Sequence, residues 1–142
     1  MSHEEVADLL GSAAKVQVAT LNPDGTPHLT TLFHVVRDGR IAFWTYAASQ
    51  KVRNLERDPR ITCLVEDGED YFALRGVSVS GQAAILRDPD DVRSVGLAVA
   101  ARMARGVELG EAGRAEVARQ ATKRVAVVVT PHRTASWDHG KL

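Results

Sequence analysis

Apolar and polar residues change rhythm several times along this chain, and each change marks a predicted element. Val6, Leu9 and Leu10 fall on one face at helical spacing, behind Ser2 and a Glu5 placed three residues later, which is the spacing of a capping box. A short helix is predicted there, with Gly11 as its stop. From Lys15 to Leu21 the period becomes two, with Val16 and Val18 on one face, so a strand follows. Asn22-Pro23-Asp24-Gly25-Thr26 is a turn, because proline presets φ and Asp-Gly tolerates positive φ. A second strand runs from Pro27 to Arg37, and Asp38-Gly39 turns the chain again. Arg40 to Tyr46 is a third strand, with Ile41, Phe43 and Thr45 on one side and Ala42, Trp44 and Tyr46 on the other.

The rhythm then becomes helical for a short stretch. Ser49 caps a helix whose apolar anchors are Val52 and Leu55, and Asp58-Pro59 ends it, since a residue before proline avoids the helical region. Arg60 to Glu66 is a strand, Asp67-Gly68 a turn, and Tyr71 to Ile85 a long extended segment with bulges or bends expected at Gly76 and Gly81. Asp88-Pro89 opens a helix running to about Arg105. Gly110 to Gln120 is a weaker helix, Arg124 to Thr130 a central strand, and Arg133 to Trp137 a short edge strand. Tight turns join the early strands, which disfavours parallel βαβ units. The expected fold is mainly β with flanking helices, an antiparallel barrel in one domain spanning residues 1–142.

Composition narrows the function classes. The net charge is zero, from 18 basic and 18 acidic residues, and no basic stripe is present, so nucleic-acid and polybasic membrane binding are not expected. No run approaches the ~20 apolar residues of a membrane span, and the N-terminus lacks an apolar signal core, so a cytoplasmic protein is expected. Cys63 is the one cysteine; it lies in the apolar run Ile61 to Val65 and reads as a small buried hydrophobe. Only four of the 18 basic residues are lysines, and the abundance of Arg and Ala implies GC-rich codons.

Chemistry concentrates between Thr45 and Asn54. A strand ends, small residues turn, and a helix begins with Ser49, Gln50 and Lys51 in sequence. A helix N-terminus offers free N–H groups and partial positive charge, so these residues form a phosphate seat. On spacing alone, a capped surface helix with a solvated lysine has a slight advantage over that reading. His28 and His34, six apart in one predicted strand, share a face and suit a lined pocket or simple surface positions; no third ligand indicates a metal. Trp44 and Trp137 serve equally as stacking platforms or as core and interface filling. No Gly-rich nucleotide loop, nucleophile elbow or H-E-x-x-H segment occurs.

Three segments carry a family resemblance: Ala19-Thr20-Leu21-Asn22-Pro23-Asp24-Gly25-Thr26-Pro27-His28, Phe43-Trp44-Thr45, and Ser49 through Asp58-Pro59-Arg60. The tail Ala135-Ser136-Trp137-Asp138-His139 adds to them. The chain resembles the pyridoxamine 5'-phosphate oxidase-like split-barrel flavoproteins, and among them the small deazaflavin (coenzyme F420)-dependent oxidoreductases. The resemblance implies a six-stranded antiparallel split β-barrel and a homodimer with cofactor sites at its interface. It implies that Ser49, Gln50 and Lys51 hold the cofactor phosphate with Asn54 in support, that Trp44 and Thr45 line the phosphate end, and that His28, Thr30 and Thr31 face the ring system. Tyr71, Arg75 and Trp137 would reach in from the neighbouring subunit. The implied activity is hydride transfer from reduced F420 to an unsaturated small-molecule acceptor, the alternatives being an FMN enzyme or a non-catalytic cofactor-binding protein of the same fold. Many relatives carry Arg or Lys where Ser49 or Gln50 stands, and Pro at Thr31.

Overall fold

In the computed structural model, which describes residues 1–142, the local signals at the N-terminus act as expected. The Glu5 N–H donates to Ser2 Oγ (3.1 Å) and the Ser2 N–H to Glu5 Oε2 (2.7 Å), opening α1 (His3–Ser12). The helix passes through Gly11 and ends at Ser12. The strands β1 (Lys15–Leu21) and β2 (Pro27–Phe33) form a hairpin, in which Gly25 takes φ +86°. Asp38 and Gly39 both take positive φ between β3 (Val35–Arg37) and β4 (Arg40–Tyr46), as a tight primed hairpin turn requires. Helix α2 (Gln50–Arg57) leads to β5 (Arg60–Asp67) and β6 (Arg75–Leu86). Helices α3 (Pro89–Met103) and α4 (Glu111–Ala121) precede β7 (Arg124–Asp138).

All strands belong to one antiparallel sheet in the order β2-β1-β5-β6-β7-β4-β3. The two terminal members, β2 and β3, are separated in the chain by His34 alone. Consecutive Cα atoms lie about 3.8 Å apart, so the two edges of the sheet must meet. The sheet therefore curls into a barrel. His34 fixes the crossing: its N–H donates to Ala14 O (3.0 Å), its Nε2 bonds Leu10 O (2.9 Å), and its own carbonyl accepts from Arg102 (2.6 Å).

Two apolar layers flank the sheet. Fourteen buried residues, among them Leu9, Val16, Phe43, Val65 and Val127, fill the barrel under α1 and α2. Full burial of a side chain such as Phe43 contributes roughly 1.5–3 kcal/mol. On the other side of β4, Trp44 packs with Val92, Val95 and Val99 of α3 and Val117 of α4. Gly96 makes that approach possible, since a Cβ there would lie 2.4 Å from Trp44 Cζ3. No helix is long and apolar enough to cross a membrane.

Several boundaries differ from expectation. The predicted strand Pro27–Arg37 is two strands, so the hydrogen-bonded count is seven rather than six. Tyr71–Ala73 is a 3-10 turn rather than part of an extended segment. Arg133–Trp137 is not a separate strand but the continuation of β7, paired with β6 along its length. Gly81 does sit at a register shift, where His132 is the unpaired extra residue. Gly76 is no bulge; it is flat against the Trp137 ring, and a Cβ there would lie 2.3 Å from Trp137 Cζ2.

Candidate functional site

The start of α2 is held by its own capping chemistry and by one buried amide. Ser49 Oγ accepts from the Val52 N–H (3.4 Å), leaving the N–H groups of Gln50 and Lys51 without intrahelical partners. Asn54 is fully buried and engages every polar atom it has. Its Nδ2 donates to Thr20 Oγ1 and Asn22 Oδ1 (3.1 Å each), while its Oδ1 accepts from Gln50 Nε2 (2.8 Å) and Arg57 (3.5 Å). Asn54 thus bolts α2 to β1 and orients Gln50.

Lys51 behaves differently. It is only 8% exposed, yet its ammonium makes no hydrogen bond and no ion pair. Burial pushes its pKa below the ordinary lysine range. The stem of Lys51 is packed against the fold and its ammonium emerges at the surface on the first turn of α2. Partial desolvation raises the cost of the bare charge, and an anion at the α2 start would offset it.

The β1–β2 ladder adds two more open polar groups. His28 pairs with Thr20 and Thr30 with Val18, which puts both on the face that Val16, Val18 and Thr20 share. His28 Nδ1 and Thr30 Oγ1 are buried and have no partner. Through Thr20 and Asn54 they belong to the same corner as the α2 start. Thr45, 5% exposed, lies on the barrel side of β4, four residues before Ser49.

Thr31 and Trp44 are placed elsewhere. Thr31 alternates to the opposite face from Thr30, so the two threonines cannot face one ring from one side. Trp44 lies on the helix side of β4, buried under α3, and shares a cavity with Thr31. His34 does not share a face with His28, because the strand breaks at His34 itself. It is fully buried, with burial pushing its pKa down; the Nε2–H donates to Leu10 O, which leaves Nδ1 unpartnered. No group of three or more His, Cys, Asp or Glu is positioned to hold a metal. Cys63 is buried, which pushes its thiol up to about 12.

Tyr71, Arg75 and Trp137 do meet at one corner. His139 Nδ1 bonds Tyr71 O (2.8 Å), and Trp137 covers Gly76 beside Arg75. Arg75 forms a two-pronged ion pair with Asp67, both contacts 2.7 Å, which holds the Asp67 carboxyl below its usual range. Arg124 is a residue that sequence reasoning missed. Its guanidinium lies 4.5 Å from the Trp44 ring centre and 4.4 Å from that of Tyr46.

A curled antiparallel sheet whose edges are joined by one residue, with helices outside, is a split β-barrel. The chain belongs to the pyridoxamine 5'-phosphate oxidase family, whose model matches residues 2–138. It is similar to the conserved hypothetical protein Rv2991 of Mycobacterium tuberculosis, at 43% identity over 99% of this chain and 87% of that one, with a TM-score of 0.92. The same fold occurs in an F420 reductase, at 24% identity over 94% of this chain and 98% of that one, with a TM-score of 0.71. It occurs also in an FAD-binding protein of Mesorhizobium loti, at 16% identity over 96% and 94%, with a TM-score of 0.72. Among proteins of curated function none matches the sequence.

Proposed function

We propose that this protein is an oxidoreductase that uses reduced deazaflavin coenzyme F420 to reduce an unsaturated small-molecule acceptor. The observation that carries the reading is Lys51, whose side-chain stem is buried and whose ammonium, on the first turn of α2, has no protein partner. A phosphate is the natural complement to that charge together with the free N–H groups of Gln50 and Lys51 and the Ser49 hydroxyl. The orphaned His28 Nδ1 and Thr30 Oγ1 supply polar partners for a ring system in the same corner. Family membership and the F420 reductase of the same fold support a flavin-type cofactor.

The cofactor, when bound, supplies the hydride. The chain's own residues bind and orient: Lys51 and the α2 amides hold the phosphate, Asn54 fixes the helix that presents them, and Thr45 closes the barrel side. In this reading the proton for the acceptor comes from His28 or from solvent. Catalysis of this kind rests on positioning and exclusion of water.

We infer a homodimer with the cofactor at the interface. No helix covers the outer face of β1, β5 and β6, where Thr62 and Ser80 bond each other (3.2 Å), and Tyr71, Phe72 and Trp137 are exposed nearby on the same side of the chain's C-terminal corner. An uncovered sheet face beside exposed aromatic side chains suits a second copy.

Titration with F420 and with FMN, followed by tryptophan fluorescence, tests the cofactor, and oxidation of reduced F420 by enones, quinones and tetrapyrroles tests turnover. F420 should bind, and Lys51→Ala should weaken it at least tenfold while the fold survives. Tight FMN binding without F420 binding overturns the choice of cofactor. Tight F420 binding without turnover on any acceptor favours a carrier over an enzyme.

A further inference from the structure

The cavity between β4, the end of β2 and helices α3 and α4 has no part in the phosphate seat. Its volume is about 500 Å³, within the range of small-molecule sites. The inner wall is apolar and buried: Trp44, Val99 and Val117 are 8%, 3% and 5% exposed. Met103 stands at the rim, 54% exposed. Two charged residues line this space, Arg124 and Glu116.

Their situations are opposite. Glu116 is already engaged, accepting from Arg119 (2.9 and 2.6 Å) and from Gln120 (2.8 Å), and these contacts hold its carboxyl below the usual range. Arg124 makes no ion pair and no side-chain hydrogen bond, and its Nε is buried without a partner. The Trp44 and Tyr46 rings hold its guanidinium by cation–π contact, and that contact leaves the N–H donors, the buried Nε–H among them, without an acceptor. A planar fork held this way matches a carboxylate, which accepts two parallel bonds.

We propose that this cavity binds a small molecule with an apolar body and one carboxylate, the body against Trp44, Val99 and Val117 and the carboxylate on Arg124. The charge fits because the only acid in the wall is already neutralised by Arg119. Lys51 lies outside this site, so the assignment stands apart from the identity of the cofactor.

The test uses the full chain carrying Trp137→Phe, which leaves Trp44 as the sole tryptophan, titrated with octanoate and separately with 1-octanol. Octanoate should change Trp44 emission saturably and bind at least tenfold tighter than 1-octanol. Arg124→Gln should lower octanoate affinity at least tenfold and leave 1-octanol unchanged, whereas Lys51→Ala should leave both unchanged. No saturable response to octanoate, or octanoate binding no tighter than 1-octanol, would overturn the proposal. That comparison keeps Arg124 in place, so it decides even where Arg124→Gln fails to fold. Loss of octanoate binding in folded Lys51→Ala protein would assign the carboxylate to α2 and overturn it equally.

Discussion

Phe43 and Trp44 are neighbours in β4 that go to opposite sides of the sheet, into two apolar regions that differ in how completely they are filled. The barrel side is closed. Phe43 is fully buried among aliphatic side chains from β1, β5, β6 and β7, with Leu55 of α2 behind them. The helix side is anchored as firmly at Trp44 and Gly96, yet a few residues away it opens into a cavity with an unsatisfied arginine on its wall. Buried polar groups do not follow that division. Asn54, between α2 and the barrel, is satisfied four times over, while His28 Nδ1 and Thr30 Oγ1 on the barrel face and Arg124 Nε on the helix side have no partner. Satisfied groups hold a fold together, and unsatisfied ones mark where it is incomplete without a ligand.

The sharpest way to break this comparison is a pair of truncations read by chemical denaturation. Phe43→Ala should cost roughly 3–5 kcal/mol, because close packing leaves a cavity where the ring was. Val99→Ala, on the wall of an existing cavity, should cost only about 1 kcal/mol, since part of its surface has no protein neighbour to lose. Similar losses per buried carbon would show the two regions to be equally packed.

Asn54→Ala comes next, with an expected loss of about 2 kcal/mol. It strands the buried Thr20 hydroxyl, and an unsatisfied buried polar group costs about 1–3 kcal/mol. A change under 0.5 kcal/mol in the same assay would mean that water replaces the amide and that α2 is held by Val52 and Leu55 alone.

The smallest effect belongs to His34. Burial, and secondarily the Arg102 charge, depress its pKa in the folded state. An unfolded chain therefore binds a proton that the folded one refuses once pH drops below the ordinary histidine value of about 6.5. Stability from this group is present above that pH and is lost as pH falls from there toward the folded pKa. Thermal melts at pH 7.5 and 5.5 should show a larger fall for the parent protein than for His34→Gln. Equal falls would place the titration elsewhere.

Much of this was legible in the chain. The α1 capping box, the Asp38-Gly39 turn and the Ser49 cap are local grammar, written in residues within a few positions of each other. The break at His34 was not. The run from His28 to Arg37 carries no glycine or proline to mark a break, and the partners that hold the crossing, Leu10, Ala14 and Arg102, are distant in sequence. The same reason hid the state of Lys51. Spacing placed it on the first turn of α2, but what covers it depends on packing. Arg124 read as an ordinary strand opener because its setting is Trp44 and Tyr46 across the ladder. Gly96 costs a helix about 1 kcal/mol against alanine, and only the Trp44 indole packed on it shows why it is there.

The crossing at His34 has a consequence for how this protein meets its own copies in a crowded solution. Open sheets recruit further strands through their unpaired edges, and this is a common route to aggregation. Here β3 has only three residues, and β2 opens on Pro27, whose nitrogen has no hydrogen to donate. The part of β7 beyond Val128 has no partner on its β4 side, and it carries Pro131, the His132 bulge and the charge of Arg133. Each of these obstructs an incoming strand. A chain built this way limits how a stray strand can add to its backbone.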